Sequence, residues 1–217
     1  MADQLIVVAG LPGTGKTQVR NWLSQNLEDY IGYSTVEIQR EWGQTQFDTG
    51  KTHFAYDEIF RRMERTAGES KGFILESPFS TADFRKRTYD FAAGLGLEVL
   101  VVEIACSERE AKRRMMRREK SDGFVSDPRD PRVYDKIAAR WEPFEQDYLD
   151  PAYAGTSHIR YDSETNQAEE LQVNFSLRKI TDRVIHLITH QELGIEPLAD
   201  GKFGRYSMEK SYFQSPA

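Results

Sequence analysis

Residues 5–17 read Leu5-Ile6-Val7-Val8-Ala9-Gly10-Leu11-Pro12-Gly13-Thr14-Gly15-Lys16-Thr17, and this stretch decides the fold. The apolar run has the character of a buried strand. It empties into G-x-x-x-x-G-K-[ST], a phosphate-binding loop whose glycines free backbone N–H groups to wrap phosphate oxygens above a helix N-terminus. The expected nucleotide-binding residues are therefore Gly10, Leu11, Pro12, Gly13, Thr14, Gly15, Lys16 and Thr17. Lys16 reaches toward the β- and γ-phosphates, and the Thr17 hydroxyl holds Mg²⁺. A loop of this kind between strand and helix predicts a nucleoside-triphosphate site that uses Mg²⁺.

Val19, Trp22, Leu23 and Leu27 recur near helical spacing, so the loop opens a helix over 16–27. Further strands are expected at 31–35, 72–75, 99–102 and 158–161. Helices are expected at 37–42, 55–67, about 80–96 with Ser80 or Thr81 as cap, 107–120, 133–148 and 177–188. Val99-Leu100-Val101-Val102 is apolar on both faces, as a buried parallel strand should be. Strands alternating with helices imply an α/β fold of three layers, a parallel sheet flanked by helices on both faces. The reading is one domain over 1–192, with a lid at about 107–131 and a C-terminal tail at 193–217.

The 217 residues suffice for one α/β domain with a full core, and a net charge of −6 argues against a protein coated in nucleic acid. The tail holds Lys202, Phe203, Arg205 and Tyr206, a weak echo of single-strand nucleic-acid binders. A lone cysteine, Cys106, excludes an internal disulfide and reads as a small buried hydrophobe. No apolar run approaches the length of a membrane span, and Asp3 at the N-terminus is unlike a signal peptide. The expectation is a cytoplasmic protein without membrane partners.

Outside the loop, two regions carry chemistry. Glu76 ends the third strand where ligands of such sheets bind, and there a carboxylate orients a metal-bound water or an acceptor hydroxyl. Glu103 ends the next strand, with a structural partner expected. The second region is the basic helix holding Lys112, Arg113, Arg114, Arg117 and Arg118. With its core seam at Ala111, Met115 and Met116, Arg114 and Arg118 lie together on one side, while Arg113 and Arg117 point into solvent. Arginines so placed neutralise charge on a transferring phosphoryl group. His186 and His190 have metal-binding spacing but no evident third ligand, and Arg61, Arg62 and Arg65 read as a solvated helix face or an acceptor groove.

Gly10 to Thr17, Ser34-Thr35-Val36-Glu37-Ile38, Glu76-Ser77-Pro78-Phe79 with Arg85, the Arg114/Arg118 pair and Ser126-Asp127 resemble the P-loop kinases related to polynucleotide 5′-kinase, a group that includes zeta toxins and small-molecule O-kinases. The resemblance covers residues 4 to 165. It implies a nucleoside-monophosphate-kinase-like core with an arginine-bearing lid, ATP–Mg²⁺ as donor and a hydroxyl-bearing acceptor, with Arg85 as an acceptor-binding residue. In that group a Ser-Thr-Asp-Glu-Ile-Arg segment supplies the base and an acceptor-binding arginine. Here those positions are Val36 and Gln39, and valine cannot accept a proton. Glu37 or Glu76 must then serve as base. The catalytic candidates are Lys16, Glu37, Glu76, Arg114 and Arg118; Glu76 is also a Mg²⁺ ligand through water. The leading acceptor is the 5′-hydroxyl of a polynucleotide. A small molecule or nucleoside is the alternative, and an ATP-binding regulatory module with weak ATPase activity is the reading from another class.

Overall fold

The computed structural model describes residues 3–44, 49–117 and 130–190. Arg118, Ser126, Asp127 and the 193–217 tail lie outside the described residues. Six strands form one sheet: β1 (Gln4–Ala9), β2 (Tyr30–Ser34), β3 (Gly72–Glu76), β4 (Glu98–Ala105), β5 (Ser157–Asp162) and β6 (Gln167–Gln172). Their order is β2-β3-β1-β4-β5-β6, parallel except for antiparallel β6. The helices are α1 (Lys16–Asn26), α2 (Thr35–Glu41), α3 (Thr52–Thr66), α4 (Ala82–Gly94), α5 (Glu108–Arg117), α6 (Arg132–Ala138) and α7 (Arg178–Thr189).

β1 is the middle of this sheet because it is apolar on both faces. Leu5, Val7 and Ala9 pack with Phe73, Leu75, Val99 and Val101 against α3 and α4. Ile6 and Val8 pack with Ile74, Leu100 and Val102 against α1 and α7. The alternation makes three layers out of one strand pattern. β1 leads to β2 on one side while neighbouring β4 leads to β5 on the other, so the connections part above the carboxyl ends of this pair, where ligands of such sheets bind.

Three departures from the sequence reading have plain causes. The helix expected over 133–148 stops at Ala138, and Phe144–Leu149 is a separate 3-10 stretch. Pro143 has no N–H to continue the ladder and disfavours helical geometry at the residue before it. β6 was not foreseen: it reads Gln-Ala-Glu-Glu-Leu-Gln, mostly exposed, and an edge strand with a wet face shows little apolar alternation. Thr81 occupies the N-cap of α4 without a side-chain bond, and Glu142 does that work instead, accepting from the Ala82 N–H at 2.5 Å.

Arg85 corrects a fourth expectation. Rather than meeting an acceptor, its side chain is entirely buried against Asp147, itself 1% exposed. Nε and Nη2 donate to the two Asp147 carboxylate oxygens at 2.6 and 2.9 Å. The remaining bonds go to the carbonyls of Phe79, Glu142 and Pro143, so five bonds match the five N–H groups of a guanidinium. The Phe144 ring lies 4.4 Å from its central carbon. The group fastens the 142–149 segment to α4 and to the loop after β3. Asp147→Ala leaves the buried cation unpaired, and a destabilisation of about 3–5 kcal/mol is expected in urea-melt experiments. A loss below about 1 kcal/mol would contradict this account.

Candidate active site

The loop between β1 and α1 is held from three sides. Gly10, Gly13 and Gly15 have φ of 143°, 83° and 103°. At Gly13 a side chain is excluded twice over: φ is positive, and a Cβ would overlap the Ala111 carbonyl, with that carbon only 2.9 Å away. α5 thus lies directly on the loop, with Leu11 packed against its buried Ala111 and Met115. From the β3 side, the Gly10 N–H donates to the Pro78 carbonyl at 3.3 Å, and the Ser77 N–H donates to Val8.

Gly15 is the N-cap of α1 and supplies no side-chain acceptor, and no acidic residue occupies the first turn. The helix start therefore presents backbone donors and a positive dipole to an anion. Lys16 Nζ donates to the Leu11 carbonyl at 2.9 Å, curled over the loop that a phosphate chain would fill. Thr17 Oγ1 donates to Glu76 Oε1 at 2.7 Å. This hydroxyl and carboxylate suit Mg²⁺, which takes few protein ligands and completes its shell with water and phosphate oxygens. Among the described residues there is no cluster of three or more His, Cys, Asp or Glu able to hold a metal on its own.

Arg20 is the site residue the sequence reading passed over. It lies one helical turn beyond Thr17, so α1 turns both to the same side. Its Nη2 pairs with Glu37 Oε1, and its Nε sits 3.6 Å from Glu76 Oε2. Thr17, Glu76, Arg20 and Glu37 thus form one line across the ends of α1, β3 and α2. Gly32 in β2 makes the room: a Cβ there would meet Ser24 Oγ at 2.7 Å and the Arg20 chain at 3.4 Å. Glu76 is buried, while 43% of the Glu37 side chain remains exposed. The spacing of Thr17 and Arg20 was a legible signal, but Glu76 and Gly32 become their neighbours only through the sheet.

Arg114 on α5 reaches the backbone of the loop. It donates to the Thr14 carbonyl at 3.3 Å and to Ser163 Oγ at 2.8 Å, while Glu110 accepts from its Nε at 2.7 Å. Ser163, unnoticed in the sequence, also donates to the Thr14 carbonyl at 2.6 Å. Of the expected seam residues, Met116 is 61% exposed, because α5 is covered on a narrower stripe than the pattern suggested. Glu103 meets the structural partners expected of it, His158 Nε2 and Arg160 Nε at 3.1 Å each. Cys106 is half-buried, and burial raises its thiol pKa. Arg61 and Arg62 pair with Glu58, and with Arg65, Tyr33 and Thr66 they line a cavity of about 400 Å³ at the β2 edge. The rings of His186 on α7 and His190 just past its end lie 4.3 Å apart, tilted by 33°.

The Glu110 carboxyl is pulled down to about 2, first by the Arg113 hydrogen bond, with burial opposing and Arg114 adding to the pull. The ordinary glutamate value is about 4.3. A depressed folded-state value means stabilisation that is complete above the ordinary range and lost as pH falls toward about 2. Acidification below about pH 4.5 should then lower the melting temperature of the natural chain more than that of Glu110→Gln. Parallel acid profiles for the two proteins would contradict this.

Similar solved structures include a kinase-designated protein of Chloroflexus aurantiacus J-10-fl, at 16% identity and TM-score 0.60 over 87% of this chain and 97% of that one. A sugar kinase from Janibacter sp. HTCC2649 aligns at 15% identity and TM-score 0.54, covering 85% and 91%. The PezAT chromosomal toxin–antitoxin system of Streptococcus pneumoniae aligns at 13% identity and TM-score 0.53, covering 88% of each chain. At such identities the likeness is one of fold, three layers with a mostly parallel sheet between helices. No curated protein matches the chain in sequence. The family model for the AAA domain matches residues 5–144, well over half of the sequence, and the chain belongs to that family, AAA_33.

Proposed function

We propose that the chain is an ATP- and Mg²⁺-dependent kinase that moves the γ-phosphate to a hydroxyl acceptor. The observation that carries this reading is the Thr17–Glu76 hydrogen bond at the foot of the loop, continued through Arg20 to a half-exposed Glu37. Mg²⁺, when bound, supplies neutralisation of charge on the β- and γ-oxygens. The loop amides and Lys16 hold the phosphates, Lys16 exchanging the Leu11 carbonyl for a phosphate oxygen. Glu76 fixes the direction of the Thr17 hydroxyl. Arg114, bonded to the Thr14 carbonyl, brings positive charge to the edge of the loop, and Arg118, outside the described residues, is the second arginine of the proposed pair.

Proton transfer falls to Glu37. One oxygen of Glu76 is occupied by Thr17 and the other faces Arg20, whereas Glu37 stands at the mouth with its carboxylate accessible. In the balanced reaction the acceptor oxygen forms a bond to the γ-phosphorus and the bond to the β-phosphate bridging oxygen breaks. ADP leaves, and the hydroxyl proton passes to the Glu37 carboxylate. Arg20 holds that carboxylate in place by pairing with it.

Of the two acceptor classes the resemblance offers, withdrawal of Arg85 into the core favours a small hydroxyl compound over the 5′ end of a polynucleotide. The basic residue assigned to the phosphate-bearing acceptor has no donor left to give. Among the described residues no helix is long and apolar enough to cross a membrane, and no membrane partner is proposed.

The test is γ-labelled ATP incubated with 5′-hydroxyl oligonucleotides, with small polyhydroxy compounds and with no acceptor, using Lys16→Ala as control. Label on a small acceptor, absent with Lys16→Ala, is the expected outcome. Phosphate release that ignores every acceptor would instead support the regulatory ATP-binding module. Glu37→Gln should lower kcat about 10²-fold or more at unchanged ATP affinity. Glu76→Gln should act chiefly by raising the Mg²⁺ concentration needed for activity. Equal activity of Glu37→Gln and the natural chain would remove Glu37 from the mechanism.

A further inference from the structure

The end of β3 has a second face that the reaction scheme leaves unused. Glu76 turns toward α1, and Ser77, next along the chain, turns toward α3. Ser77 is 3% exposed and lies 3.2 Å, hydroxyl to hydroxyl, from Thr35 at the start of α2. Tyr56 of α3 reaches the same place. It is 1% exposed, and its hydroxyl has no hydrogen-bond partner. Burial pushes the phenol pKa far up while neighbouring Ser77 pulls the other way. The ring cannot swing out: Phe84 stacks on it at 5.1 Å, and Phe79 packs edge-on at 5.6 Å.

An unpaired buried hydroxyl has a cost that Phe at position 56 would avoid while keeping every ring contact. The orphan lies beside Ser77, the residue after Glu76, and against a loop strained at Phe79, whose φ is 52°. Strain and unpaired polar atoms gather where a ligand completes the structure. The three groups are neutral hydroxyls, each able to donate and accept, so they match other hydroxyls better than an ion. Glu37, on the same helix as Thr35, adds negative charge at the mouth and disfavours an anionic acceptor.

We propose that Tyr56, Ser77 and Thr35 form the subsite that holds the acceptor's non-reacting hydroxyls, and that the acceptor class is a neutral, sugar-like polyol. This rests on the phosphotransfer reading. Two measurements test it. The first is thermal unfolding of Tyr56→Phe without ligand: removal of an unpartnered hydroxyl should leave the melting temperature unchanged or higher. A fall of more than about 3 °C would mean the hydroxyl has an internal partner, and would overturn the proposal. The second is transfer of γ-label to D-glucose, myo-inositol, ribitol and a 5′-hydroxyl oligonucleotide. Label should move to at least one polyol, with Tyr56→Phe and Ser77→Ala each raising KM for it about tenfold at unchanged ATP affinity. Label on the oligonucleotide alone, on no polyol, or an unchanged polyol KM in Tyr56→Phe overturns the subsite. Failure of the natural chain to bind Mg²⁺–ATP at all, scored separately by calorimetry, overturns the phosphotransfer reading instead.

Discussion

The backbone of α5 rests so closely on the phosphate loop that even a methyl group at Gly13 has no space. Everything at the candidate site depends on this contact. A glycine-rich loop by itself would be a loose object, since glycine loses the most backbone freedom on ordering. Here that cost is met by a strand buried on both faces behind it, a helix below it and a second helix on top. Arg114 and Ser163 both donate to the Thr14 carbonyl and so tie the loop backbone to α5 and to the end of β5. The loop is thus shaped before any nucleotide arrives, and preorganised donors lose little when charge develops against them.

A second constraint comes from deeper inside. Arg85 accepts full burial in exchange for five hydrogen bonds, one of them to the carbonyl of Phe79. Phe79 has a left-handed backbone that costs a non-glycine residue about 1–2 kcal/mol. The neighbouring Pro78 carbonyl receives the Gly10 N–H. A buried ion pair therefore holds a strained turn, and the strained turn holds the first glycine of the loop. Charge is used here for shape, which is why an arginine that looked like a ligand-binding group touches none of the mouth.

The fold was legible because its signals were local: a strand emptied into G-x-x-x-x-G-K-[ST], and apolar runs alternated with helical periods. Arg114 was legible for the same reason, from helical phase alone. What escaped depends on contacts between distant segments. Arg20 and Thr17 announce themselves as one face of α1, but their partners Glu37 and Glu76 arrive from α2 and β3. Arg85 in isolation looks like any other residue of a basic helix run. Only Asp147, 62 positions away, shows that it is core. β6 was missed because an edge strand with a solvated face carries polar residues where a buried strand would carry apolar ones.

The balance of charge at the mouth explains why a kinase site can dispense with an aspartate at position 36. Two carboxylates, Glu37 and Glu76, flank a single guanidinium, so Arg20 can compensate only one of them fully. In the proposed reaction the uncompensated charge would be balanced by Lys16 and by Mg²⁺ bound with the nucleotide. Among the described residues, the groups proposed to meet the acceptor at the end of β3 are the neutral hydroxyls of Thr35, Tyr56 and Ser77. At contact distances inside a partly dry cleft, a further anion would be repelled more strongly than in bulk water. The neutral hydroxyl compound proposed as acceptor meets no such barrier. Gln39, standing where the resembling group carries an acceptor-binding arginine, is consistent with the uncharged acceptor proposed above.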